Sequence, residues 1–176
     1  MSELAKVVDQ ALVNVIGNAC FSKATLAINA ALAATIKTTG TTTYTVGGVF
    51  YTKAALSAQS FAATHRADGN AVSSADTQYV QPINTTVIYV VALKADGTVG
   101  VIQGSYAGQS MSYGSDISKV TLMGGGVPKL PDGYTAIGAV KVATNGVATF
   151  TPGTTALDAA GLTVTYYDLA RLPATL

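Results

Sequence analysis

Residues 44 to 52 read Tyr-Thr-Val-Gly-Gly-Val-Phe-Tyr-Thr, YTVGGVFYT, nearly a mirror of itself about Gly47-Gly48. Gly-Gly, Asn-Gly and Asp-Gly pairs supply the positive φ that two-residue type I′ turns require, so the stretch predicts a tight hairpin. Tyr44 and Val46 alternate with Thr43 and Thr45, which predicts one packed face and one polar face. The same signature recurs further on. Residues 87–94 and 98–103 flank Asp96-Gly97, and residues 137–144 and 147–151 flank Asn145-Gly146. A last alternating run sets Leu162, Val164 and Tyr166 against Thr163, Thr165 and Tyr167.

Residues 24–37, ATLAINAALAATIK, place Leu26, Ile28, Leu32 and Ile36 on even positions, the pattern of a half-buried strand. Ile28, Leu32 and Ile36 would share a helix face as well, and the strand-rich sequence that follows favours strand. Residues 3–16, ELAKVVDQALVNVI, have helical spacing, with Leu4, Val8, Leu12 and Val15 on one face. Ser2 can cap that helix and Gly17-Asn18 can stop it. At roughly four turns it is marginal alone and has to dock on something. Polar stretches near 62–84 and 104–118 are expected at the surface. The expected fold class is therefore mainly β: an antiparallel β-sandwich or jelly-roll-like domain of about eight to ten short strands. A helical arm over residues 1–20 would precede a single β-rich domain over 21–176.

Composition narrows the function. Charged residues make up only 11% of the 176 residues, while 49% are hydrophobic. An average soluble domain carries about 25% charge. Thr, Ser, Gly and Ala must cover this surface instead, which suits a protein that buries part of itself against copies or a neighbour. Ten Lys and Arg against nine Asp and Glu leave a net charge of +1, with no basic patch for nucleic acid. Apolar runs fall short of the ~20 residues that span a bilayer, so no membrane is expected. The opening MSELAKVVDQ lacks the pattern of a secretory signal, and Cys20 is the sole cysteine. Synthesis in a cytoplasm is the expectation.

Chemistry-bearing residues are sparse. His65 is the one histidine, in the loop sequence ATHRADG, and reads as a solvated side chain. One Cys and one His exclude a Cys/His zinc set. The aspartates are scattered, Asp96 and Asp132 precede glycine as turn formers, and Glu3 is the only glutamate. Gly124-Gly125-Gly126 runs into Val127-Pro128-Lys129-Leu130-Pro131, whose prolines oppose the helix a phosphate loop needs. No catalytic residue, metal or cofactor is expected. Among the nine tyrosines, Tyr106 and Tyr113 lie in the predicted loop SYAGQSMSYGSD and are candidates for a contact surface.

Two stretches carry a family resemblance: TYTVGGVFYTKAA (Thr43 to Ala55) and LPDGYTAIGAVKVATNGVATFTPGTTALDAAGLTVTYYDL (Leu130 to Leu169). They resemble small structural proteins of tailed-bacteriophage virions, of the capsid decoration (cement) or head-fibre type. The resemblance covers about a third of the chain in its clearer parts. It rests on the G-V-x-Y-T-K-A-A hairpin, the P-D-G-Y-x-x-I-G turn and the F-T-P-G-T-T segment, none of them catalytic. It implies a β-rich homotrimer on the capsid exterior, bridging subunits of the major capsid protein. Leu4, Val8, Leu12 and Val15 would then be the docking residues. The alternative is a tail-fibre or baseplate domain that binds a host-cell surface glycan through Tyr106 and Tyr113.

Overall fold

The computed structural model describes residues 17–73, 80–105 and 126–170, and every regular element in them is a β-strand. The strands are β1 (Ala19–Cys20), β2 (Ala27–Ile28), β3 (Thr35–Lys37), β4 (Thr42–Val46), β5 (Val49–Lys53), β6 (Gln59–Ser60), β7 (Thr86–Lys94), β8 (Val99–Gln103), β9 (Tyr134–Thr144) and β10 (Leu162–Asp168). They form three antiparallel sheets, ordered β1-β4-β5, β10-β9-β7-β8 and β2-β3-β6, in a mainly β, sandwich-like arrangement. The predicted helix over 3–16, with Leu4, Val8, Leu12 and Val15, lies outside the described residues. So do the loop tyrosines Tyr106 and Tyr113.

The hairpin over residues 44–52 forms as expected. Val46 pairs with Val49 and Tyr44 with Tyr51, and Gly47 and Gly48 turn at φ 58° and 81°. The second hairpin joins β7 to β8 by a slightly longer loop. Gly97 N donates to Lys94 O, Lys94 N donates to Thr98 O, and the Asp96 carboxylate accepts from Thr98 N at 2.8 Å. That is a type I turn closed by a left-handed glycine.

The third predicted hairpin does not form. β9 has its neighbours already, β7 on one side and β10 on the other, so no ladder is left for residues 147–151. The strand that folds back on β9 is β10, with Val164 opposite Val142 and Tyr166 opposite Val140. Asn145 Oδ1 instead accepts from Val147 N and Ala148 N, and Gly146 is not in the left-handed region. Val147 is left outside, while Phe150 turns inward and its backbone pairs with Gln81.

Residues 24–37 are likewise not one strand. β2 and β3 pair as a short hairpin, Ile28 opposite Ile36, and residues 29–34 bend between them. Leu32 sits at φ 57° and is 80% exposed, opposite to its expected inward place. Its N–H donates to both Asp158 carboxylate oxygens at 2.9 and 3.0 Å, and Leu157 N donates to Ala33 O. A long-range carboxylate thus overrides the local alternation.

β7 is the centre of the molecule, buried from Thr86 through Leu93. Its odd residues Val87, Tyr89, Val91 and Leu93 enter the main core, with Ile36, Tyr44, Phe61, Val140, Val142 and Phe150. Phe61, Tyr89 and Phe150 form an aromatic trio with centroids 5.2 to 6.3 Å apart. Such pairs contribute about 0.5–1.5 kcal/mol each beyond area burial. The even residues Ile88, Val90 and Ala92 enter a second core with Ile102, Tyr134 and Ala139, against which Leu130, Tyr167 and Leu169 pack. A strand buried on both faces reads as the continuous apolar run TVIYVVALK. Thr86 is the exception, its hydroxyl buried with no hydrogen-bond partner. Thr86→Val keeps the shape and removes the stranded hydroxyl. It should raise unfolding free energy by about 1 kcal/mol, read from the urea midpoint.

Candidate assembly surface

The β4–β5 hairpin is held at its turn and along β4, while the far side of β5 carries no strand among the described residues. Asn18 clamps the turn: its Oδ1 accepts from Gly47 N at 2.8 Å and its Nδ2 donates to Tyr134 O at 3.2 Å. Thr45, expected on a polar solvent face, is fully buried. β1 and β9 cover it, with Ala19 N donating to its hydroxyl and the Thr135 hydroxyl donating to its carbonyl. Tyr44 goes inward as expected, and its hydroxyl donates to Lys94 O at 2.7 Å. β4 is therefore wedged between layers, and β5 hangs from it as the outer strand.

The outer strand is apolar where it meets solvent. Val49 is 55% and Phe50 61% exposed, and Phe50 leans on Phe21 with ring centroids 5.3 Å apart. Further large apolar side chains are exposed at Leu32, Ile83 and Val147. Alternation cannot reveal this surface, because Phe50 and Tyr51 are consecutive aromatics and either could face in. Tyr51 takes the inner place beside Tyr44, at 5.8 Å between centroids, and Phe50 takes the outer one.

Polar side chains that could carry chemistry are committed to backbone. Asp158 and Asp96 hold loops as described, and Asp168 accepts from Thr25 N at 2.7 Å. Hydrogen bonds from Asn70 and Thr98, respectively, hold Asp68 and Asp96 below the usual carboxylate range. Among the described residues no three His, Cys, Asp or Glu side chains gather as metal ligands would. No helix among them is long and apolar enough to cross a membrane.

His65 is not the solvated loop side chain expected. Its segment runs along the outer edge of β8, with Thr64 N donating to Val101 O and Gln103 N to His65 O. The half-buried ring meets Tyr134 edge-on at 5.1 Å, and the Thr64 hydroxyl lies 2.9 Å from Nδ1. Lys94 Nζ stands over the same tyrosine ring at 5.0 Å. Burial, and then the Lys94 charge, push the His65 pKa below its ordinary value. The unfolded chain therefore binds the proton more readily, so stability is full above the ordinary histidine pKa and declines as pH falls through the folded value. His65→Gln should flatten the stability slope between about pH 7 and pH 5 without moving the melt at pH 8.

No protein-family model, no curated protein and no solved structure matches this chain.

Proposed function

We propose that this chain is a structural protein of a tailed-bacteriophage virion, a capsid decoration (cement) protein acting in multiple copies, as a homotrimer, to bridge subunits of the major capsid protein. The supporting observation is how side chains are allocated. Carboxylates and amides hold turns, while Val49, Phe50, Leu32 and Val147 stand in solvent on a surface with few charges. Such a surface is suited to contact with other chains rather than to turnover of a substrate. Bridging would work by burying this surface, repeated around the copies, against neighbouring subunits. The apolar face of Leu4, Val8, Leu12 and Val15 is the proposed docking arm.

The test uses empty phage shells and purified protein. Full-length protein should co-sediment with shells in saturating, stoichiometric amounts and raise their resistance to heat. Removal of residues 1–16 should abolish that binding. Normal decoration by the truncated protein would overturn the role of the arm. Failure of the full chain to bind any shell, with saturable binding to host cells, would overturn decoration in favour of glycan recognition.

A further inference from the structure

A protein that works in many copies, as proposed above, needs surfaces that meet its own copies, and the β5 edge is a candidate for one. In a two-residue hairpin the residues flanking the turn exchange hydrogen bonds, and every second pair after them does too. Val46–Val49, Tyr44–Tyr51 and Thr42–Lys53 are those pairs, so the N–H and C=O of Phe50 and Thr52 point away from β4. The other side of β4 agrees, since Thr43 O accepts from Phe21 N and Thr43 N donates to Ser22 Oγ. No backbone partner meets Phe50 or Thr52 among the described residues. Two donors and two acceptors thus stand without a backbone partner among the described residues, beside an exposed phenylalanine.

Natural sheets guard such edges with prolines, bulges, inward charges or a covering segment. This fold does so on β8, where Thr64–His65 runs alongside. On β5 the register is regular and there is no proline. The one charge, Lys53, is at the strand end and lays its stem against Gly97. β10 also ends a sheet, but it displays no large exposed apolar side chain.

We propose that β5 pairs antiparallel with β5 of a second copy of this chain, about a two-fold axis at Tyr51. Phe50 then lies opposite Thr52 of the second copy, and Thr52 opposite its Phe50. Those two reciprocal pairs use all four outward groups and leave none over. Charge agrees with this register. Lys53 falls opposite Val49 of the second copy, so no like charges meet, and each chain carries only +1 overall. Main-chain pairing of this kind is the strand-addition mode of recognition. An edge this short covers less than the ~800 Å² per partner of a stable pair. The contact therefore forms where copies are already held close, as on a shell, and at high concentration in solution. Being two-fold it cannot close a trimer, and it links one trimer to the next.

The register is tested by mixing Phe50→Cys and Thr52→Cys proteins under mild oxidation at high concentration. Cys20 is buried, and burial pushes its thiol pKa up, so it stays out of the exchange. The mixture should cross-link at least tenfold faster than either variant alone, because residues 50 and 52 oppose each other and not themselves. Equal rates in all three samples would overturn the pairing. Thr52→Pro removes an outward N–H that the hairpin does not use, and should abolish concentration-dependent mass increase in sedimentation. Should a variant misfold, hydrogen exchange in the wild-type chain decides. Phe50 and Thr52 amides that slow with concentration support the pairing, and concentration-independent exchange refutes it. Cross-linking without shell binding would sink the decoration reading alone; shell binding without the register-specific cross-link would sink the pairing alone.

Discussion

Gln81→Ala should cost about 4 kcal/mol of unfolding free energy, a large part of the roughly 5–15 kcal/mol that holds a domain together. Gln81 is fully buried. Its Nε2 donates to Thr85 O at 3.1 Å and to Val142 O at 2.9 Å, and its Oε1 accepts from the Tyr89 hydroxyl at 3.2 Å. The side chain thereby joins the residue before β7, the last part of the β9 ladder at Val142 and the aromatic trio. Alanine strands polar partners in a dry interior and leaves a cavity besides. Gln81→Met restores most of the volume and none of the hydrogen bonds. The gap between Gln81→Met and wild type in urea unfolding isolates the polar share, and the gap between the two variants isolates the cavity. Equal midpoints for Gln81→Ala and wild type would show that the network contributes nothing.

Gly104→Ala should be nearly as damaging, at about 3 kcal/mol, through crowding rather than loss. Gly104 N donates to Ile88 O at 2.8 Å, just past the end of β8. A Cβ there would stand 2.6 Å from that same oxygen and would overlap the carbonyl of Gly126. Both obstacles are backbone, so no rotamer change relieves them. The residue is glycine because two chain segments converge on its α-carbon. Loss of amide protection at Gly104 in hydrogen exchange would locate the damage, and an unchanged melting temperature would contradict the crowding argument.

Strand content was legible wherever one face of a strand is buried, because burial then imposes a period of two. β10 shows this, with Leu162, Val164 and Tyr166 packed inward. It was legible at Gly47-Gly48 and Asp96-Gly97 because turn backbones select particular residues. It failed at Asn145-Gly146, where the same residues mark a turn whose onward strand has no free ladder to join. Which strand sits at the centre of a sheet is a long-range fact, and no dipeptide encodes it. It failed again at Leu32, where a carboxylate 126 positions away sets the backbone. Of the candidate surface, sequence disclosed the low charge and the hairpin itself. The free edge of β5 and the outward Phe50 depend on which neighbour β4 acquires, and that neighbour is β1.

The central place of β7 also sets a timetable. Residues 86–94 leave the ribosome as a nine-residue strand, apolar but for its two ends, whose larger partner, β9, begins at Tyr134 and is not yet made. At about 5–20 residues per second the nascent chain carries that strand with only β8 beside it, one edge open, for roughly several seconds. Pairing across such sequence separation is slow even once both strands exist. The chain is therefore exposed to misassociation before its sheet closes, and its yield in a cell should track the supply of chaperones that shield nascent strands.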